Sequence, residues 1–507
     1  MLYEMFIVSL GRFSWIARLV VMVSLYLAIL VASGSSQVDR VSINTRAGQK
    51  VDRFIRQKMA TEQIPGVQIA VVQNGKILKI GSYGFSNLEL NTPVTSETMF
   101  EIASNSKQFT AGAILLLCED KKLGLDDSVT KYLRGLPPEY DPVTIRQLLD
   151  HTSGVKDYIE EFQLERRLDY TNEQLVEHIG ANKLNFLPSE NARYSTTGYL
   201  LLGLVIEKIT GKPYADFLSE RIFKPLGMKH TRVISLADII PGRATGYILE
   251  KGKLRHGRYV AQTLRSSADI GMMTTASDMA KWDLALNGTN LFDRKSLDVM
   301  FNPGRLSNGD LARNDWNGYF GAGWFVDDYL GNREINHGGT LITGFHCNIS
   351  KFIDKDLTVI VLTNRLRSNP SMLGYSIAGF YDASLRPPHL MDAKRDCDTQ
   401  RTEGLRDLLL KVADGSDVGP WITTGFRSWL SSENGPKSDI KEAMTGAKML
   451  SFIACKNVAG LGVERIRSAI ETICTYKAFN AAKSHYITAY LDPNGKLADT
   501  WIYTSDN

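Results

Sequence analysis

Two blocks of strand-forming sequence, separated by a long helical stretch, leave this chain few ways to fold. The first block runs Val67 to Val72, then Asn74-Gly75, then Ile77 to Ile80. β-Branched runs on both sides of a turn dipeptide that tolerates positive φ predict a hairpin. The second block, Gly321 to Asn364, holds four strand-like segments: Gly323 to Val326, Glu334 to His337, Gly344 to Ile349 and Leu357 to Leu362, with Asp354-Lys355-Asp356 as a turn. The pattern predicts one antiparallel sheet assembled from both blocks, with helices against it and the middle of the chain as a helical insertion. The fold class is α/β, more closely α+β: an antiparallel sheet flanked by helices plus an all-helical subdomain.

Helical periodicity marks Gln49 to Thr61, with Val51, Phe54, Ile55 and Met59 on one side, and the apolar segment Phe109 to Cys118. Further helices are expected over Thr144 to Asp150, through the polar sequence up to Lys183, over Leu200 to Ile209, and from Gly271 onward, where Met279 and Trp282 read as core residues. Arg386-Pro387-Pro388 breaks the pattern, and residues 391–400 read as a linker between a domain at 37–390 and a small α+β domain at 401–507. In that tail Thr402 to Ala413 is expected as a helix. Strands are expected at Met449 to Cys455, Ile470 to Tyr476, Ser484 to Leu491 and Lys496 to Tyr503. No catalytic set of residues gathers there.

With 507 residues, 43% of them hydrophobic, the chain can bury large cores. A formal charge of +4 without a dense Lys/Arg run gives no reason to expect nucleic acid, and a small-molecule or peptide partner fits better. In residues 1–36, Arg12 and Arg18 precede the apolar run Leu19 to Ala32, and small residues follow, the layout of a secretory signal peptide. An exported protein, periplasmic or extracellular, is expected; the competing reading is an uncleaved anchor associating the protein with the membrane. Five scattered cysteines are too few for a disulfide scaffold and leave a Cys455–Cys474 bridge open. Eight histidines without a His-Glu-x-x-His pair give no metal site, and no cofactor is expected.

The chemistry concentrates at Phe100-Glu101-Ile102-Ala103-Ser104-Asn105-Ser106-Lys107, running into the apolar helix. A serine in the first turn with a lysine three residues on places both side chains on one face. A desolvated amine can then take the proton of a poor nucleophile, and the helix start offers amide N–H groups to an oxyanion. Ser-x-x-Lys also occurs at Ser128/Lys131, Ser153/Lys156 and Ser438/Lys441, where a cap or a solvated pair is the plain reading. Context must separate them. His151 reads either as a base or as a hydrogen-bonded structural histidine. A nucleophile elbow Gly-x-Ser-x-Gly is missing, with Gly374 to Gly379 failing by one residue.

Several motifs in order supply that context: Ser104 to Lys107, Leu148 to Gly154, Tyr194-Ser195-Thr196 before Gly198 to Gly203, Phe223 to Met228, and His337-Gly338-Gly339. With them the chain resembles the serine beta-lactamase and penicillin-binding protein superfamily, with a beta-lactamase/transpeptidase-like fold. The likeness is strongest to the class C-like branch containing D-alanyl-D-alanine carboxypeptidases, esterases and D-amino-acid peptidases. The tail resembles, more loosely, the cystatin-like modules appended to some members. The resemblance implies a serine hydrolase in which Ser104 forms an acyl-enzyme, Lys107 is base or proton carrier, and Tyr194 is a second proton shuttle. The N–H groups of Ser104 and Thr340 would form the oxyanion hole, while Thr196, His337, Gly338 and Gly339 would bind substrate. Substrates implied are a D-Ala-D-Ala-type peptide, a small ester or a beta-lactam. Thr196 departs from the usual Tyr-x-Asn, which puts efficient beta-lactam hydrolysis in more doubt than acylation. A non-catalytic penicillin-recognising sensor or scaffold is the alternative.

Overall fold

The structure, a computed structural model, describes residues 45–314, 318–396, 398–431, 436–447, 449–459, 464–465, 468–479 and 483–506. The signal peptide or anchor read from residues 1–36 lies outside them. Helix α1 (Arg46–Glu62) starts where the Thr45 hydroxyl accepts Gly48 N–H (3.0 Å) and ends at Gln63 in the left-handed region. β1 (Gly66–Gln73) and β2 (Lys76–Asn87) follow, joined by Asn74 and Gly75 at φ 50° and 67°, a turn whose twist matches the strands. β3 (Thr92–Pro93) completes the first block.

The middle of the chain supplies α2 (Lys107–Glu119), α3 (Ile145–Leu149), α4 (Thr196–Thr210) and α5 (Ala276–Leu286). The second block supplies β4 (Tyr319–Gly321), β5 (Trp324–Asp328), β6 (Arg333–Leu341), β7 (Phe345–Phe352) and β8 (Leu357–Thr363), and α6 (Pro370–Tyr381) comes after them. All eight strands form one sheet in the order β3-β2-β1-β8-β7-β6-β5-β4. The two blocks meet at β1 and β8, antiparallel, with Val67 opposite Thr363 and Gln73 opposite Leu357. Alternation sends Ile69, Val71, Val359 and Val361 into a core with α1 and α6, and Ala70, Val72, Ile360 and Leu362 into the core of the helical layer. Trp282 lies in that second core, its ring 4.5 Å from Phe109.

Three local expectations change. The sequence up to Lys183 is helical only over Asn172–Gly180, where Thr171 and Gln174 form a capping box. Earlier in that stretch the Asp157 carboxylate accepts the N–H groups of Ile159 (2.7 Å) and Glu160 (3.1 Å), a local arrangement that competes with helix. Met272–Thr274 is a strand, pairing with Phe100–Glu101 on one side and Arg232–Val233 on the other, and the helix after it starts at Ala276, capped by Thr275. Helix α4 starts at Thr196 rather than Leu200, because the Ser195 hydroxyl accepts Gly198 N–H (3.2 Å).

Towards the C terminus α7 (Thr399–Asp414) and two short helices, Thr424–Leu430 and Lys437–Met444, pack on a separate antiparallel sheet. Its strands are β9 (Leu450–Asn457), β10 (Thr472–Phe479), β11 (Lys483–Leu491) and β12 (Leu497–Asp506), in that order. Cys455 and Cys474 face each other across β9 and β10 and are disulfide-bonded. Lys456 Nζ donates to the main-chain oxygens of Leu330 (3.2 Å) and Gly331 (3.1 Å) in the β5–β6 turn, tying this sheet to the larger one. Among the described residues no helix is long and apolar enough to cross a membrane.

Candidate active site

The short strand Phe100–Glu101 delivers the chain to Ala103, a buried non-glycine residue at φ 46°. That conformation costs roughly 1–2 kcal/mol and is held by the surrounding packing. A 3₁₀ turn, Ala103–Ser106, then runs into α2. Residues i and i+3 eclipse in a 3₁₀ turn, so Ser104 and Lys107 meet. Lys107 Nζ donates to Ser104 Oγ (3.3 Å) and to the main-chain oxygen of Asp269 (3.1 Å). Lys107 is wholly buried and Ser104 half-buried, so the amine is hidden while the hydroxyl can be reached. Ser106 is fully buried, and its hydroxyl accepts Met272 N–H (3.1 Å), a fixed structural use. At the look-alike sites, Ser128 caps a 3₁₀ turn while Lys131 pairs with Asp127 (2.9 Å), and Ser153 Oγ accepts Val155 N–H (3.3 Å).

Tyr194 lies in the loop before α4, its ring 4.9 Å below Lys107 Nζ. His151, at φ 59°, packs against that ring at 4.6 Å and accepts Ser195 N–H on Nδ1 (3.1 Å). Burial, and then the charge of Lys107, hold its pKa well below the usual range. A neutral imidazole whose acceptor is already engaged is the structural histidine of the two readings. Thr196 is buried in the first turn of α4, and its N–H donates to Asp157 Oδ2 (2.6 Å). The same carboxylate that keeps its own segment out of a helix thus anchors the Tyr194 loop, a role the sequence did not reveal.

The remaining expected residues are on β6. β5 pairs with β6 only as far as Phe325 opposite Asn336, whereas β7 follows it to Leu341. Among the described residues, no strand covers the other edge of 337–341. His337 stacks on Phe325 (4.4 Å) and stands 6.4 Å from the Tyr194 ring; burial, then Lys107, push its pKa down to about 3. Gly339 faces the Ser104 turn: a Cβ there would fall 2.1 Å from Ile102 O. Gly338 faces the opposite side of the sheet, and so does the exposed Thr340 side chain, so any part of Thr340 in an oxyanion hole is a main-chain one. Behind the turn runs a buried chain of hydrogen bonds that sequence reading missed. Cys347 Sγ donates to Ile102 O (3.1 Å) and accepts from Asn105 Nδ2 (3.1 Å), Gln108 donates to Asn105 (2.7 Å), and Trp282 donates to Gln108 (3.1 Å). Two polar residues, Asn105 and Gln108, at the mouth of an apolar helix were the available signal.

The neutral burial of His337 has a consequence for stability. In the unfolded chain a histidine takes its proton near pH 6.5, in the folded protein His337 near about 3. Between those values the unfolded state binds more protons. The stabilisation is therefore complete above pH 6.5 and is lost as pH falls towards 3, by up to about 1.4 kcal/mol per pH unit. Asp150 and Glu334, raised by burial to about 6 and about 8, act in the opposite sense, losing stability as pH rises. The difference between proteins is thus the measure: His337→Asn should flatten the fall of the thermal midpoint between pH 6.5 and 4 relative to wild type. Identical slopes would mean that His337 is not buried neutral.

The family described as Beta-lactamase matches residues 51–378. The chain is 33% identical over 313 residues to penicillin-binding protein 4* of Bacillus subtilis (strain 168), covering 59% of this chain and 67% of that protein. It is 31% identical over 328 residues to Protein flp of Staphylococcus aureus (strain MW2), covering 62% of this chain and 63% of that protein, a little under two thirds of its length. Among solved structures it is similar to the D-amino acid amidase of Ochrobactrum anthropi SV3 complexed with L-phenylalanine amide, with TM-score 0.55, 25% identity, and 67% and 98% of the two chains covered. The octameric penicillin-binding protein homologue of Pyrococcus abyssi shares the fold at TM-score 0.54 and 22% identity over 90% of each chain.

Proposed function

The chain belongs to the beta-lactamase family, and on that premise we propose that it is a serine hydrolase that forms an acyl-enzyme on Ser104. Its substrates on this reading are a D-Ala-D-Ala-type peptide or another small amide, a small ester or a beta-lactam. One observation carries the reading: a wholly buried amine lies 3.3 Å from an accessible serine hydroxyl and 4.9 Å above the Tyr194 ring, with Gly339 of β6 packed against the same turn and no described strand along the 337–341 edge. Ser104 Oγ bonds the substrate carbonyl carbon as its proton passes to Lys107, with Tyr194 as the relay on this reading. The carbonyl oxygen gathers negative charge towards Ser104 N–H and Thr340 N–H, and the proton returns to the leaving group as its bond to carbon breaks. Water then repeats the sequence and frees Ser104. Neutral His337, beside Gly338 and Gly339, orients the substrate without adding a charge.

The amidase likeness supports including D-amino acid amides, and Thr196 in place of asparagine supports weak beta-lactam turnover. An exported location remains part of the proposal, favoured by the Cys455–Cys474 disulfide and by the N-terminal segment. The test is incubation with a fluorescent penicillin, p-nitrophenyl esters, D-Ala-D-Ala peptides and D-amino acid amides, followed by peptide mass mapping. The expected outcome is an adduct on Ser104, with turnover of an ester or amide faster than that of the penicillin. A stable Ser104 adduct without turnover of any substrate would identify a sensor, and an adduct on another serine would overturn the reading.

A further inference from the structure

We propose that Asp269 is a positioning residue for acyl transfer, its main-chain oxygen holding Lys107 in place and its carboxylate offsetting the positive charge that Lys107 gains from the Ser104 proton. The inference rests on Ser104 being the nucleophile. Asp269 is fully buried, shortly before the strand Met272–Thr274 that packs on the Ser104 turn. Its main-chain oxygen accepts from Lys107 Nζ (3.1 Å), and its Oδ2 accepts the Tyr158 hydroxyl (2.9 Å). Oδ1 is buried without a hydrogen-bond partner among the described residues, the Ser267 hydroxyl being given to Leu264 O (2.7 Å). A carboxylate in such a place is unfavourable unless a cation answers it. Lys107 becomes that cation when it takes the Ser104 proton, and its charge then opposes the rise that burial imposes on the Asp269 carboxyl.

The groups facing the two residues come from several elements. Tyr158, Tyr199 and Tyr214 have phenols that burial pushes up, and His151 and His337 are kept neutral by burial. The Tyr194 ring lies below Lys107 Nζ. During acylation the Ser104 O–H bond breaks, an N–H bond forms on Lys107, and Oγ bonds the carbonyl carbon. The proton leaves Lys107 when the leaving group departs. Between those events Lys107 is charged, and the Asp269 carboxylate lowers the energy of that state, the part a third group plays behind a nucleophile and its base.

The experiment compares Asp269→Asn and Asp269→Glu with wild type in the full chain, using the p-nitrophenyl ester turned over fastest, with Ser104→Ala as control. Asp269→Asn should lower kcat about 10- to 100-fold with KM changed less than about threefold. The acid limb of kcat/KM should move in Asp269→Asn, because the charge formed during acyl transfer no longer has a buried carboxylate to answer it, and Asp269→Glu should restore the limb. Loss of a merely structural group would scale the profile without moving it. An unmoved limb in an Asp269→Asn protein still acylated at Ser104 overturns the proposal. Should that variant not fold, Tyr158→Phe removes a donor to the charged carboxylate, and the fall of kcat on the acid side should begin at higher pH; an unchanged profile again overturns it. Wild type without an adduct at Ser104 would overturn the nucleophile and this proposal together.

Discussion

Ser104→Ala abolishes acylation by a fluorescent penicillin and lowers ester or amide turnover by roughly 10⁴- to 10⁶-fold, the loss expected when the nucleophile of a covalent mechanism is removed. Folding is retained. The Ser104 hydroxyl has a single described hydrogen bond, from Lys107 Nζ, and that amine keeps its bond to Asp269 O when the hydroxyl is gone. Ser106→Ala is the informative companion. Its hydroxyl accepts the buried Met272 N–H, so its removal leaves a main-chain donor unsatisfied, at a cost of about 1–3 kcal/mol. The expected pattern is therefore crossed: Ser104→Ala melts like wild type and is inert, whereas Ser106→Ala melts lower and is still acylated at Ser104. Peptide mapping after mild inhibition, with melting curves on both variants, reads the pattern directly. An adduct on Ser106, or turnover surviving in Ser104→Ala, would remove the basis for the proposed mechanism.

The order of motifs along the chain singled out Ser104, and the elements around it were legible locally. Asn74-Gly75 between β-branched runs can scarcely form anything but a hairpin, and the apolar run after Lys107 has no polar face, so it had to be a helix buried all round. The partner of the hairpin was legible for a similar reason, since β8 reads Leu357 to Thr363 with every residue apolar or β-branched and belongs at the centre of a sheet. Contacts made at a distance were not legible. Met272-Met273-Thr274 has no period of its own and is a strand only because Phe100–Glu101 and Arg232–Val233 flank it. Asp157 looks like any acid in a polar stretch until its Oδ2 is seen 2.6 Å from Thr196 N. Asp269 is a lone acid in the otherwise apolar run Ala268 to Met273, yet nothing in the sequence says that its main-chain oxygen meets Lys107. Substrate identity is illegible for a different reason: one nucleophilic centre serves many acyl donors, and the fold does not choose among them.

The same contrast between local pattern and distant contact separates the two glycines of His337-Gly338-Gly339. A motif gives both the same task, allowing a substrate to approach the strand. The structure gives them different neighbours. A Cβ on Gly339 would sit 2.1 Å from Ile102 O, 2.8 Å from Cys347 Sγ and 3.1 Å from Asn105 Nδ2. The first of these is buried main chain and cannot turn aside, so β6 would have to back away from the turn that carries Ser104. Overpacking of this kind costs about 1–3 kcal/mol, and a displacement of about 1 Å between reacting groups costs about 100-fold in rate. On Gly338 the added carbon points to the other face and meets Asn348 Oδ1 at 3.7 Å and Cys347 O at 3.8 Å, ordinary contact. Gly339→Ala should therefore lower the acylation rate about 100-fold and melt at a lower temperature, while Gly338→Ala should stay within about threefold of wild type with an unchanged midpoint. Acylation kinetics and melting curves on the two variants decide between the assignments. Equal losses at both positions, with both proteins stable, would mean that substrate, and not the Ser104 turn, is what requires the glycines.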